Sequence, residues 1–164
     1  MTEPTPDAPA PDAAALGAPA PRVPFPAATV LGYPRIGPRR ELKRALEAYW
    51  DGGISGEELA EAGRELRAAA WRRLVGRGLD AAGAAVPSNT FSLYDHVLDT
   101  VVLVGAVPAR YRSLGATGDP DADLRRYFAM ARGETGVATL RMTKWFDTNY
   151  HQLVPEIGPD TRFE

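Results

Sequence analysis

Five cations, Arg35, Arg39, Arg40, Lys43 and Arg44, fall within ten residues that hold one carboxylate, Glu41, a local net of +4 in a chain whose formal net charge is -2. They follow a short apolar run, Ala28 to Leu31, and lead across Pro38 into a helical pattern. In a parallel α/β architecture ligands gather beyond the carboxyl ends of the strands, so chemistry is expected in such a segment. A helix N-terminus favours acidic side chains in its first turn, and cations there are locally unfavourable unless an anion sits among them. The segment therefore reads as an anion site for carboxylate or phosphate, or else as a solvated basic helix face. It is not a Walker loop, since Gly32 and Gly37 lack the spacing and no Gly-Lys-Ser/Thr follows.

Two other segments carry polar chemistry after short apolar runs. The first, Ser88 to Asp99, contains Asp95, His96 and Asp99, with the two aspartates one helical turn apart. A second histidine or a cysteine would be needed to make a persuasive metal site, and none is there. A hydrogen-bonded His96 that orients the corner fits the residues better. No serine occupies a nucleophile elbow, so His96 is not a triad base. The other segment, Thr143 to His151, sets Lys144 beside Trp145 and Phe146, where it either faces a ligand or pairs with Asp147.

The elements that must position these residues follow from periodicity. Ala28–Leu31, Ala84–Val86 and Val137–Met142 read as short strands. Leu42, Ala45, Leu46 and Tyr49 mark a helix whose first turn Pro38 suits. Ser55 and Glu58 have capping-box spacing, with Ile54 and Leu59 placed for a hydrophobic staple, and Leu59, Ala62, Leu66, Ala70 and Leu74 continue the stripe. Leu93 to Val104 predicts another helix, residues 105–120 a loop, and Leu124 to Ala131 a last helix closed by Gly133. Strands alternating with helices predict βα units and a parallel sheet. Three strands make a poor sheet alone, and the chain stops at Arg162-Phe163-Glu164 with neither cap nor docking helix, as expected of a piece of something longer.

Composition bounds the rest. At 164 residues and 45% hydrophobic content the chain is one domain at most, able to bury roughly two-thirds of its unfolded surface. With no cysteine it cannot build a disulfide scaffold, an iron–sulfur cluster, a thiolate zinc site or a cysteine nucleophile. The charge balance argues against nucleic acid as a partner. No apolar run reaches the ~18 residues of a membrane span, and residues 1–26 lack the pattern of a secretory signal, so a cytoplasmic protein with no membrane partner is expected. Residues 1–26 hold eight of the 15 prolines, interleaved with alanine and with Glu3, Asp7 and Asp12. They read as a disordered or polyproline-like tail, either a solvated extension or a tether or docking segment, and the domain is expected to begin at residue 27.

Together three segments are more specific than any one of them. Leu31-Gly-Tyr-Pro-Arg-Ile-Gly37 with Arg40-Glu-Leu-Lys43, then Phe91-Ser-Leu-Tyr-Asp-His-Val-Leu-Asp-Thr100, then Met142-Thr-Lys-Trp-Phe-Asp-Thr-Asn-Tyr-His151 resemble, in order and approximate spacing, the start of cobalamin-independent methionine synthase. The resemblance covers about residues 28–164 and implies an incomplete (β/α) TIM barrel, the opening βα units of the family's N-terminal barrel. That family transfers a methyl group from 5-methyltetrahydropteroyltri-L-glutamate to homocysteine through a zinc-activated thiolate. The resemblance implies that Arg40, Glu41, Leu42 and Lys43 form a folate-tail-binding segment, that Lys144 is a second folate-binding lysine, and that Asn149 contacts the same substrate. It places the zinc and homocysteine ligands in a C-terminal barrel that this sequence does not match, so no cofactor and no catalytic residue are expected here. Arg141 departs from the family pattern, in which many members carry an acidic residue. The expectation is a fragment inactive alone, with a complementary C-terminal chain as a candidate partner. The competing reading is a non-enzymatic, degenerate paralogue that binds an anionic small molecule or a partner chain.

Overall fold

Helix formation follows the apolar spacing closely. In the computed structural model, which describes residues 26–81, 85–86, 91–115 and 119–163, α1 spans Glu41–Trp50, α2 Gly56–Val75, α3 His96–Leu103, α4 Ala109–Arg112 and α5 Pro120–Arg132. Two short strands close the chain, β1 at Met142–Lys144 and β2 at His151–Leu153. The expected tail, residues 1–26, lies outside the described residues except for Pro26, and so do Ala84 of the expected second strand and Ser88 to Thr90 after it.

The end signals of α2 and α5 work as their chemistry predicts. The Glu58 amide donates to Ser55 Oγ at 3.2 Å and the Ser55 amide to Glu58 Oε2 at 2.8 Å, a complete capping box. Ile54 and Leu59 meet in one apolar cluster, as a staple requires. Asp119 caps α5 by accepting the Asp121 amide at 3.0 Å, Pro120 opens the helix, and Gly133 leaves it at φ 81°. Helix α1 starts three residues later than Pro38 suggests. Gly37 (φ 85°) and Arg40 (φ 63°) turn the chain sharply, and the Leu42 amide reaches back to Ile36 O at 3.0 Å.

The strand expectations need correction. Residues 28–31 are in no ladder among the described residues; the Thr29 hydroxyl donates to Ala85 O at 2.7 Å, and Leu31 is fully exposed. Ala85 and Val86 form a turn and a bend. A β-branched apolar run shows that a segment can be buried in a sheet, but a strand also needs a neighbour to pair with. Val137 is not the start of a strand. It closes a tight turn with Glu134, exchanging bonds of 2.8 and 3.0 Å around Gly136 at φ 81°. The strand begins at Met142 and pairs antiparallel with β2, in the register Met142 with Leu153, Thr143 with Gln152 and Lys144 with His151. The described residues therefore form a helix-rich, mixed domain with few strands, and no parallel sheet or closed barrel is among them. The expected loop over 105–120 also contains α4, whose Tyr111 is fully buried with its hydroxyl donating to Ala138 O at 2.6 Å.

Two apolar clusters hold these elements. Leu42 and Leu46 of α1 pack with Leu59 of α2 and Phe128 of α5. Leu98 of α3, Tyr111 of α4, Met130 of α5, Leu140 and Leu153 of β2 form the second. Tyr94 and Tyr127 lie against both clusters and join them. Burying a Leu or Phe side chain contributes roughly 1.5–3 kcal/mol, so α1 and the hairpin are each fixed by their inward-facing residues. None of the described helices is long and apolar enough to cross a membrane.

Candidate functional site

The basic segment neutralises part of its own charge. Arg39 donates to Glu41 twice, from its backbone N–H at 2.9 Å and from Nε at 3.1 Å. The Glu41 carboxyl is held below the usual carboxylate range, first by its own backbone amide and then by Arg39, against an opposing effect of burial. Lys43 pairs with Glu47 one turn along α1, and the Arg44 guanidinium donates to Arg39 O at 2.8 Å. Arg35 donates to the carbonyls of Leu93 at 3.4 Å and Tyr94 at 3.0 Å, tethering the segment to the corner before α3. Thus Glu41 is itself the anion that the first helical turn calls for.

Arg40 is the exception. It occupies the position just before α1 in the left-handed region, φ 63° and ψ 37°, and makes no side-chain cap. A non-glycine residue there costs on the order of 1 kcal/mol. Its guanidinium is exposed and has no hydrogen bond or ion pair among the described residues. Leu42, by contrast, is fully buried, so its side chain seats α1 and faces no solvent. Gly37 sets the shape of the turn. A Cβ added to it would run into Glu41 Oε2 and lie 2.9 Å from Leu66 Cδ2 of α2, at a φ that side chains rarely adopt.

Lys144 is the last residue of β1, and Asn149 sits in the loop that joins β1 to β2. Trp145 donates its amide to Tyr150 O at 2.8 Å, Phe146 has φ 51°, and the Trp145 and Phe146 rings meet edge to face at 5.2 Å. Asn149 accepts at its backbone O from His151 Nδ1 at 3.1 Å. Lys144 is exposed and makes no ion pair with Asp147; its ammonium has no partner among the described residues. The structure thus brings Arg40, Glu41, Leu42 and Lys43 together at the start of α1, and Lys144 and Asn149 together on the hairpin. The two groups rest on different apolar clusters, linked through Tyr94 and Tyr127.

The central corner is built around side chains that the sequence did not single out for this role. Asp95 caps α3, its Oδ1 accepting the amides of Val97 at 2.8 Å and Leu98 at 3.0 Å while Oδ2 accepts that of Leu153 at 3.4 Å. This aspartate ties the hairpin to α3. The Tyr127 hydroxyl donates to Asp99 Oδ1 at 2.6 Å. Burial first, and that bond second, push the hydroxyl well above a tyrosine's ordinary pKa. No local spacing announces a Tyr127–Asp99 pair separated by 28 residues. His96 does not orient the corner: it is exposed, 3.9 Å from Asp99 Oδ2.

The zinc that the resemblance assigns to another barrel has no donor set among the described residues. The sequence has no cysteine and two histidines. Among the described residues no three His, Cys, Asp or Glu side chains converge.

Comparison with known proteins agrees with the motifs. Residues 27–164 match the family model described as cobalamin-independent synthase, N-terminal domain. A 5-methyltetrahydropteroyltriglutamate–homocysteine methyltransferase of Streptomyces coelicolor is 59% identical over 136 residues, 83% of this chain and 17% of that protein. Proteins of the same name from Rhodococcus jostii and Oryza sativa subsp. japonica are 55% and 50% identical over 136 and 137 residues, with 83% and 84% of this chain and 17% of each relative covered. The chain therefore spans about a sixth of the length of these curated relatives. With three motif segments in order and a match running from residue 27 to residue 164, the chain belongs to the family of the cobalamin-independent synthase N-terminal domain.

Proposed function

We propose that this chain supplies the folate-binding end of a homocysteine methyltransferase and holds the glutamate tail of 5-methyltetrahydropteroyltri-L-glutamate. The observation that carries this reading is the state of two cations in the motif segments. Arg40 and Lys144 are exposed, and their charged ends have no partner among the described residues. A polyglutamate tail is a row of carboxylates, and charge-assisted bonds from guanidinium and ammonium groups are the strong way to hold one. Lys43 joins them by exchanging Glu47 for a ligand carboxylate, and Asn149 offers a neutral amide beside Lys144. Glu41 and Leu42 act within the same segment by fixing Arg39 and by seating α1.

The chain's own contribution to methyl transfer is then to bind and orient the donor. The resemblance places the zinc, and the site for the homocysteine thiolate that accepts the methyl group, outside the segment matched here. On this reading the chain alone binds the donor and forms no methionine. A complementary chain is its natural partner, because Leu31, Leu103, Phe146 and Tyr150 lie 77–104% exposed and offer apolar surface to cover.

Calorimetric titration of the full chain with the triglutamate and monoglutamate forms of 5-methyltetrahydrofolate tests the reading. Tighter binding of the triglutamate that weakens with added salt is expected. Equal affinity for the two forms would show that the basic segment is only a solvated helix face.

A further inference from the structure

A groove between the segment entering α1 and the far half of α2 combines aromatic walls with cations. Tyr33, Trp71 and Phe91 line it together with Arg35, Arg67 and Arg73. Arg35 donates only to carbonyl oxygens, Arg67 lies over the Phe91 ring at 5.4 Å, and neither Arg67 nor Arg73 is ion-paired with a carboxylate among the described residues. No acidic residue among the described residues lines the groove, and Trp71 is 36% exposed on its wall.

The same chain carries a segment of complementary chemistry. Residues 3–12, Glu-Pro-Thr-Pro-Asp-Ala-Pro-Ala-Pro-Asp, hold three carboxylates, four prolines and no cation. Proline-rich segments are preorganised as extended polyproline II helices, and aromatic-lined grooves bind that form at low entropic cost. The thirteen residues between Asp12 and Pro26 can span about 40 Å at about 3.1 Å per residue. Pro26 is itself only seven residues before Tyr33 of the groove. A tether this short raises the effective concentration of the segment to the order of millimolar, so a weak contact is populated without help from another molecule.

We infer that the segment 3–12 of this chain docks in the groove formed by Tyr33, Trp71 and Phe91, with one or two of its carboxylates at a time facing the cluster of Arg35, Arg67 and Arg73. The prolines supply flat apolar contact to the aromatic walls, and the carboxylates supply the charge that the groove lacks. The reading is independent of any folate tail at Arg40 and Lys144.

The chain has three tryptophans and no cysteine, so a nitroxide placed by Ala8→Cys is unique and leaves the folded core untouched. In the full chain labelled with nitrogen-15, the Trp71 indole signal is expected to be lost, while those of Trp50 and Trp145 persist. The signal should return at high salt and in the Glu3→Gln, Asp7→Asn, Asp12→Asn variant, which alters only the segment and cannot unfold the groove. An unaffected Trp71, or equal broadening of all three indoles, would overturn the inference. So would broadening seen only when nitroxide and isotope are on separate chains, because the occupant would then be a second copy.

Discussion

Tyr127 of α5 gives its hydroxyl proton to Asp99 of α3 at 2.6 Å, while the oxygen accepts the amides of Tyr94 at 3.1 Å and Asp95 at 3.4 Å. One phenol thus serves a helix and the corner that caps it. The first expected outcome is that Tyr127→Phe costs about 1–3 kcal/mol, since it leaves a half-buried carboxylate and the Asp95 amide short of a partner, while the Tyr94 amide keeps Ser92 Oγ at 3.2 Å. Urea denaturation of the two proteins measures the difference.

The same hydroxyl predicts how that difference depends on pH. Burial, and then Asp99, raise its folded pKa above the ordinary value of 10.0, so the unfolded chain loses this proton first. The contribution is complete below about pH 10 and falls as pH rises from there toward the folded value. The stability gap between wild type and Tyr127→Phe should therefore be flat between neutral and mildly alkaline pH and shrink beyond it. A gap that widens in strong alkali would refute the assignment.

Leu42 and Lys43 are neighbours with separate duties. Leu42→Ala should destabilise the fold by about 2–5 kcal/mol, the range for truncating a buried leucine, and thermal unfolding will show it. Lys43→Ala should leave stability nearly unchanged, because its pair with Glu47 is half exposed.

Binding separates the same residues differently. Lys43→Ala and Lys144→Ala should each weaken triglutamate binding by about 1–3 kcal/mol, the value of a hydrogen bond to a charged group. Glu47→Gln should strengthen it, since Lys43 no longer has to leave a carboxylate. Unchanged titrations for all three would remove these lysines from the site.

Removing the α2 cap offers a control outside the three motif segments. Ser55→Ala should lower stability by about 1 kcal/mol with no change in binding, as read by denaturation and titration on one preparation.

What was legible in the sequence was local. The capping box at Ser55 and Glu58, the staple at Ile54 and Leu59, and the stripe through Leu42 and Leu46 all concern residues within one turn or two, and all are in place. Pairing at long range was not legible. The apolar content of Ala28 to Leu31 says nothing about whether a neighbouring strand exists. The run from Val137 hides the turn made by Glu134 and Gly136, and the partner of Met142 lies beyond an aromatic loop. At the candidate site the charges could be counted in advance. Their internal cancellation was harder to see, because Arg39 reaches Glu41 only after Gly37 and Arg40 both take positive φ.

Gly37 bears on how this segment tolerates change. An alanine there would meet two movable side-chain ends, the Glu41 carboxylate and a Leu66 methyl, and would have to hold a backbone conformation that favours glycine. The side-chain ends can rotate away, but no substitution elsewhere removes the strain of a side chain at that φ. Position 37 should therefore lack second-site suppressors, whereas damage at Lys43 or Glu47 can be offset by its partner. In a random library the loop before α1 would vary in its charges long before it varied at this hydrogen atom.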